Sequence, residues 1–169
     1  MNRETGWSAN WRLHCALIVA AALLAAPLTV VLAQAQKQAS DKAVFRKLVE
    51  DVAAAWSTGD ADNPAKFYAK DANLVFYDIA PFSYHGWKEY HDGVQKNIFE
   101  NMASGKLTAE KEFTVTRRGT LAWTTASEHL SMTEKDGKKV ELDLRVTDIW
   151  ERRGGQWLIV HEHVSAPLP

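Results

Sequence analysis

Cysteine is almost missing from this sequence. Of 169 residues only Cys15 is a cysteine, and it stands ahead of a long apolar run near the N-terminus. One thiol excludes an internal disulfide, and a chain trimmed after that run keeps neither a cysteine nucleophile nor a thiolate ligand. An excess of one charge is missing too. Lys and Arg total 20 against 21 Asp and Glu, and the signs are mixed along the chain. With no basic stripe, the footprint of a nucleic-acid-binding protein is excluded. The folded part holds no internal repeat and no low-complexity stretch. The apolar share of 46% and charged share of 24% are those of a globular protein, so disorder is excluded over most of the length. The length suits one domain with a short extra segment.

That extra segment is N-terminal. Arg3 and Arg12 stand against Glu4, and Cys15 to Ala33 then carry no charge. Ala33-Gln34-Ala35 fits a small-x-small cleavage site, so residues 1–35 read as a secretory signal peptide. The rival is an uncleaved anchor, because a run of about 19 residues is near the lower limit for spanning a bilayer. Pro27 and the Ala-x-Ala favour cleavage. Either way the folded part is expected to work outside the cytoplasm, periplasmic or secreted, with no membrane contact after cleavage. Residues 36–39 read as a tether and 40–169 as the domain.

Ser40 or Asp41 suits a helix N-cap. Phe45, Leu48, Val49, Val52 and Trp56 follow at helical spacing. Asn63-Pro64 predicts a second, short helix to about Ala69, with Phe67 and Tyr68 inward. Residues 73–77 read as a short strand and 78–82 as a loop, since Pro81 biases Ala80 away from helix. Gly86 precedes a third helix, with Trp87, Tyr90, His91, Val94, Ile98 and Met102 at three- and four-residue steps and Ser104-Gly105 as its stop. Four alternating runs close the chain, at about 107–117, 120–133, 139–152 and 156–164. Arg118-Gly119, Asp136-Gly137 and Gly154-Gly155 connect them, and Asp-Gly predicts a tight primed turn. Three helices followed by an antiparallel meander give an α+β domain, with a pocket between the layers.

Several local motifs carry a resemblance. They are Ala55-Trp56-Ser57-Thr58-Gly59-Asp60, Phe67-Tyr68-Ala69-Lys70-Asp71-Ala72, Tyr84-His85-Gly86-Trp87 and Arg145-Val146-Thr147-Asp148-Ile149-Trp150. Gly155 to Pro167, containing His161-Glu162-His163, completes the set. In order and spacing, residues 40–169 resemble the SnoaL-like branch of the nuclear transport factor 2-like superfamily, which includes ketosteroid isomerases and polyketide cyclases. The resemblance implies a cone-shaped α+β fold, with three N-terminal helices packed on a curved, mainly antiparallel sheet. It also implies a homodimer through the open face of that sheet. The family hosts isomerases, cyclases, dehydratases, hydrolases and non-catalytic modules, so the fold alone names no reaction.

What the resemblance implies for residues is more specific. Asp78 matches the family's base and Asp148 the protonated acid that donates to an enolate oxygen. That two-acid arrangement is an established case of pKa tuning in ketosteroid isomerase. The family's donor tyrosine is replaced here by Val52. Each candidate also has a structural reading. Asp78 suits a turn that bonds its own amides. Asp148 shares the parity of Val140, Leu142, Leu144 and Val146, and a buried acid needs a partner of some kind. His161 and His163 share a strand face by two-residue period, with Trp157 and Ile159 behind them. They read as acid or base groups at the pocket mouth, or as structural residues. His129 and Asp148 are the available third metal ligands, but no second ligand pair is visible, so no metal is assigned. Trp56, Tyr77, Trp87, Tyr90, Trp123, His129 and Trp150 are the candidate pocket lining, each tryptophan being equally at home in a core. The expectation is an exported domain with a largely apolar pocket for a small hydrophobic ligand. It carries out cofactor-free proton transfer on a carbonyl compound, or binds or assembles without chemistry.

Overall fold

A computed structural model describes residues 9–79 and 81–167, with side chains from Val30 onward. The chain divides into two units, Met1–Ser40 and Asp41–Pro169. Helix α1 spans Ala9–Trp56. No break occurs at Ser40 or in the expected tether, because Gln34 to Ala39 is built of good helix formers and needs no new cap. The first eight residues of the expected signal peptide, and the side chains of Ala9 to Thr29 including Cys15, lie outside the described residues. Among the described residues no helix is long and apolar enough to cross a membrane.

The second unit is a six-stranded sheet with helices on one face. Its strands are β1 Val75–Tyr77, β2 Tyr84–His85, β3 Met102–Arg118, β4 Leu121–Glu134, β5 Lys139–Arg153 and β6 Gln156–Ser165, and α2 is Gly86–Asn97. The order across the sheet is β2-β1-β6-β5-β4-β3. Every pairing is antiparallel except β1 with β6.

Three expectations change. The second helix is one 3-10 turn, Pro64–Phe67, because Tyr68 is already extended and bridges to Ile159 of β6. The third helix stops at Asn97. A 3-10 turn at Phe99–Asn101 follows, and the chain is a strand from Met102, through the Ser104-Gly105 expected to end a helix. The Asp136-Gly137 turn is not a primed one. Only Gly137 takes a positive φ there; its amide bonds the Glu134 carbonyl at 2.9 Å, and the Glu134 amide bonds the Lys138 carbonyl at 2.8 Å. That is a type I turn closed by a glycine bulge. The primed turn is Gly154-Gly155, with φ of 57° and 88° and Arg153 facing Gln156.

The core lies between α1, α2 and the inner sheet face. Phe45, Val49 and Val52, one helical stripe of α1, are buried with Tyr90 and Val94 of α2, Trp150 of β5 and Ile159 of β6. Two polar clamps fix α1 against β3. The Ser57 hydroxyl donates to the Ala53 carbonyl at 2.7 Å and accepts from the Leu107 amide at 2.8 Å. Arg46 donates to the carbonyls of Ala109 and Glu110, where β3 slips register between Ala109 and Phe113. The irregular backbone of that bulge is thereby satisfied.

Candidate functional site

Between α1, α2 and the sheet lies a cavity of about 100 Å³. Val49, Val52, Val94, Leu144 and Val146 make its walls apolar. Four carboxyls reach it: Asp78, Glu128, Asp148 and Glu162. Three of these, Glu128, Asp148 and Glu162, are 5%, 3% and 3% exposed. Such burial of acids demands either partners or protons.

Local sequence explains each placement. On β5 the alternation runs unbroken, so Leu144, Val146, Asp148 and Trp150 are all buried. On β4, Ala122, Thr124, Ala126 and Glu128 share the inner parity. On β6 the parity reverses partway. Trp150 faces Ile159, yet the preceding Ile149 faces His161, so Val160 is an extra residue in the ladder. A one-residue bulge turns every later side chain to the opposite face. Glu162 is therefore buried opposite Asp148, while His163 is exposed.

The histidines thus do not line the cavity. His161 contacts the Val75 carbonyl through Nδ1 at 2.7 Å, and both His161 and His163 lie edge-on to Tyr77. Trp123 and His129 also point outward, opposite in parity to Thr124 and Glu128; Trp123 is exposed and His129 sits between Asp143 and Glu141. Of the expected lining, Trp56 and Tyr90 do border the cavity. Trp87 and Trp150 are core residues beside it, and Tyr77 is on the outer face. Asp78 and Asp148 are brought together. Among the described residues no group of three or more His, Cys, Asp and Glu could hold a metal ion.

Two central residues escaped the sequence reading. Glu128 had a usable signal, since it shares parity with Leu130 and Met132, but Trp123 and His129 drew attention to the other parity. Glu162 had none, because two-residue periodicity through Val160 assigns it outward.

Glu162 is the hub of a hydrogen-bond network. Tyr68 donates to its Oε2 at 2.7 Å and Tyr90 to its Oε1 at 2.5 Å. Trp56 Nε1 donates to the Tyr68 oxygen at 2.9 Å. Asp148 also hydrogen-bonds Glu162, and its Oδ2 accepts from Thr124 at 3.2 Å, with Trp150 Nε1 donating to the Thr124 oxygen at 3.0 Å. The Oδ1 of Asp148 is buried and receives no donor.

Burial sets the protonation states. It drives Asp148 well above the usual carboxyl range, and the negative charges of Glu162 and Glu128 add to the effect. Burial also raises Glu162, but the donors Tyr90 and Tyr68 oppose it. Of the pair, Asp148 is the one that holds a proton. Desolvation, then repulsion from Glu162, pushes Glu128 to about 8. Desolvation raises Asp78 to about 6, against a 2.6 Å hydrogen bond from the Ile79 amide. Tyr68 and Tyr90 are raised by burial and stay neutral donors. The site therefore combines one carboxyl that titrates near neutrality with others held protonated, the separation that acid–base chemistry requires.

The same architecture recurs in known proteins. A nuclear transport factor 2-like superfamily protein from Salmonella enterica serovar Typhimurium superposes with a TM-score of 0.66 at 14% identity, covering 75% of this chain and 94% of that one. An NTF2-like protein of unknown function from Pseudomonas putida gives 0.61 at 25% identity over 78% and 89%. A hexachlorocyclohexane dehydrochlorinase gives 0.64 at 10% identity over 76% and 86%. No curated protein matches the sequence. The SnoaL-like domain model matches residues 46–169, which takes in the whole sheet and every acid of the cavity. The chain belongs to the SnoaL-like family, on the nuclear transport factor 2-like fold.

Proposed function

We propose that this domain is a cofactor-free acid–base catalyst that moves a proton on a small, largely apolar carbonyl compound. One observation carries the reading: Asp78, titrating near 6, and Asp148, held protonated, border the same apolar cavity. Asp78 takes a proton from the carbon next to the carbonyl. The electron pair of that C–H bond moves to the carbonyl oxygen, and Asp148 donates a hydrogen bond to the resulting enolate. In the free site that donor is turned to Glu162. Asp78 then returns its proton to the same or a neighbouring carbon, or the enolate expels a leaving group. A dehydrochlorinase on the same fold removes a proton in eliminating hydrogen chloride, which agrees with proton removal from carbon in such a cavity.

The test is deuterium exchange next to the carbonyl, followed by NMR on a panel of enolisable ketones. The wild-type rate should rise with pH through about 6, as Asp78 becomes a base. Asp78→Asn should lower it roughly 100-fold. An unchanged rate in Asp78→Asn rules out the role given to Asp78.

The second reading is a binding module without chemistry. Val52 offers no donor where the resembling isomerases have a tyrosine, and the hydroxyls of Tyr68 and Tyr90 are committed to Glu162. Ligand binding with no exchange on any ketone would favour it. Two expectations accompany either reading: export, from the N-terminal segment, and a homodimer through the outer sheet face, where Leu121, Trp123 and Ile149 are 47%, 41% and 37% exposed.

A further inference from the structure

The strand register gives a map of the four acids. Thr124, Asp148 and Glu162 lie in one row across β4, β5 and β6. Tyr77 faces His163, so the next residue, Asp78, falls in the row of Val164, Val146 and Ala126. Glu128 faces Leu144, four residues along from the Asp148 row. Glu128 is therefore about 13 Å along the strands from the Asp148 row and two residues, about 7 Å, from the row of Asp78, and β4 stands three strand spacings, about 14 Å, from β1. Glu128 thus occupies the end of the cavity away from Asp148, across the sheet from Asp78.

One of these carboxyls lacks a hydrogen-bonding partner in the protein. Glu128, 5% exposed, makes no hydrogen bond among the described residues. Buried polar groups are almost always satisfied, so an unpartnered carboxyl bordering an apolar cavity points to a ligand that supplies the contact.

We infer that Glu128 is a specificity residue: it holds a second oxygen on the ligand, at the end remote from the carbonyl that Asp148 receives. The substrate class narrows to compact apolar ketones carrying an ether, ester or second carbonyl oxygen. This rests on the proton-transfer reading for which end of the ligand reacts, but not for the contact itself. Glu128 acts as a neutral acid donor. Burial first, then the charge of Glu162 from β6, keep the proton on it, and Arg46 from α1 opposes them.

The experiment compares 4-methoxycyclohexanone with 4-ethylcyclohexanone, which match in size but differ in the remote acceptor. Affinities are measured by calorimetry, in wild type and in the Asp78→Asn background. Wild type should prefer the methoxy ketone about tenfold near neutral pH, the worth of a good hydrogen bond. Glu128→Leu should abolish the preference and Glu128→Gln, which still donates, should keep it. The wild-type preference should fade as pH rises through about 8, and that of Glu128→Gln should not. Equal wild-type affinities, or a preference that survives Glu128→Leu, overturns the inference. Because binding is read without turnover, a Glu128-dependent preference with no proton exchange would sustain this contact while ending the catalytic reading.

Discussion

The two faces of the same three strands carry the same residue types and treat them oppositely. Asp148 is 3% exposed, and its neighbour Ile149 is 37% exposed. Inside, four acids meet apolar walls, and desolvation raises each of them. Outside, His129 is bracketed by Asp143 at 2.8 Å and Glu141 at 3.0 Å, in contact with solvent. Hydrogen bonds that the ring donates to those acids, first Asp143 and then Glu141, raise the histidine. The contrast separates two causes of altered ionisation: removal from water inside, and direct pairing outside. Among the described residues, the buried acid without a hydrogen bond, Glu128, is on the inner face, where a ligand has something to complete.

The contrast hangs on one residue. Val160 is the bulge that sends Glu162 inward and His163 outward. Deleting it makes Ile159 and His161 consecutive, so a straight ladder keeps Trp157, Ile159 and Glu162 inward and His161 and His163 outward. The expected cost is that of the lost kink alone, about 1–3 kcal/mol, and unfolding should stay cooperative. Urea denaturation followed by tryptophan fluorescence measures it. A deletion variant that loses cooperative unfolding would mean that Val160 is not simply an extra residue in the ladder.

That bulge also marks how far the sequence could be read. The four long strands fall within a few residues of their hydrophobic alternation, apart from the early start of β3. The placement of Asp148 follows from the unbroken parity of Val140 to Trp150. Periodicity fails where the backbone adds a residue, since nothing in Leu158-Ile159-Val160-His161 distinguishes a bulge from a regular strand. The helix ends were less legible for a different reason. Gln34 to Ala39 lacks a breaker, so the chain stays helical through it, and Met102 to Gly105 is claimed as strand by pairing with Met132 to Glu134. Tertiary pairing overrode local pattern there.

The tryptophans sharpen the comparison. Trp150 is fully buried, edge-on to Phe45 at 5.9 Å, and donates to Thr124. Trp123 is on the outer face of the adjacent strand, 41% exposed. Trp150→Ala should destabilise by about 3–5 kcal/mol through the cavity it leaves. Trp123→Ala should cost the monomer less than about 1 kcal/mol. If the proposed homodimer forms through this face, the change should instead weaken self-association, read by light scattering against concentration. Equal losses of stability from the two would erase the distinction between a packed face and an open one.

The smallest effects come from ionisation, where sign and salt together tell the faces apart. Glu128 has its folded pKa raised from 4.5 to about 8. Its stabilising contribution is therefore complete below about 4.5 and is lost as pH rises through about 8. Wild type should lose stability across that window, and Glu128→Gln should flatten the loss by up to a few kcal/mol. His129 is also raised, so its contribution is whole below about 6.5 and likewise lost as pH rises. The sign is the same, but the cause predicts a different salt response. Pairing between solvated groups is screened at about 1 M salt, whereas desolvation is not. Urea midpoints taken at low and high pH, each in low and high salt, should show the Glu128 component persisting at high salt and the His129→Gln difference vanishing. If both components fade with salt, Glu128 is hydrated in solution, and burial is not what holds its proton.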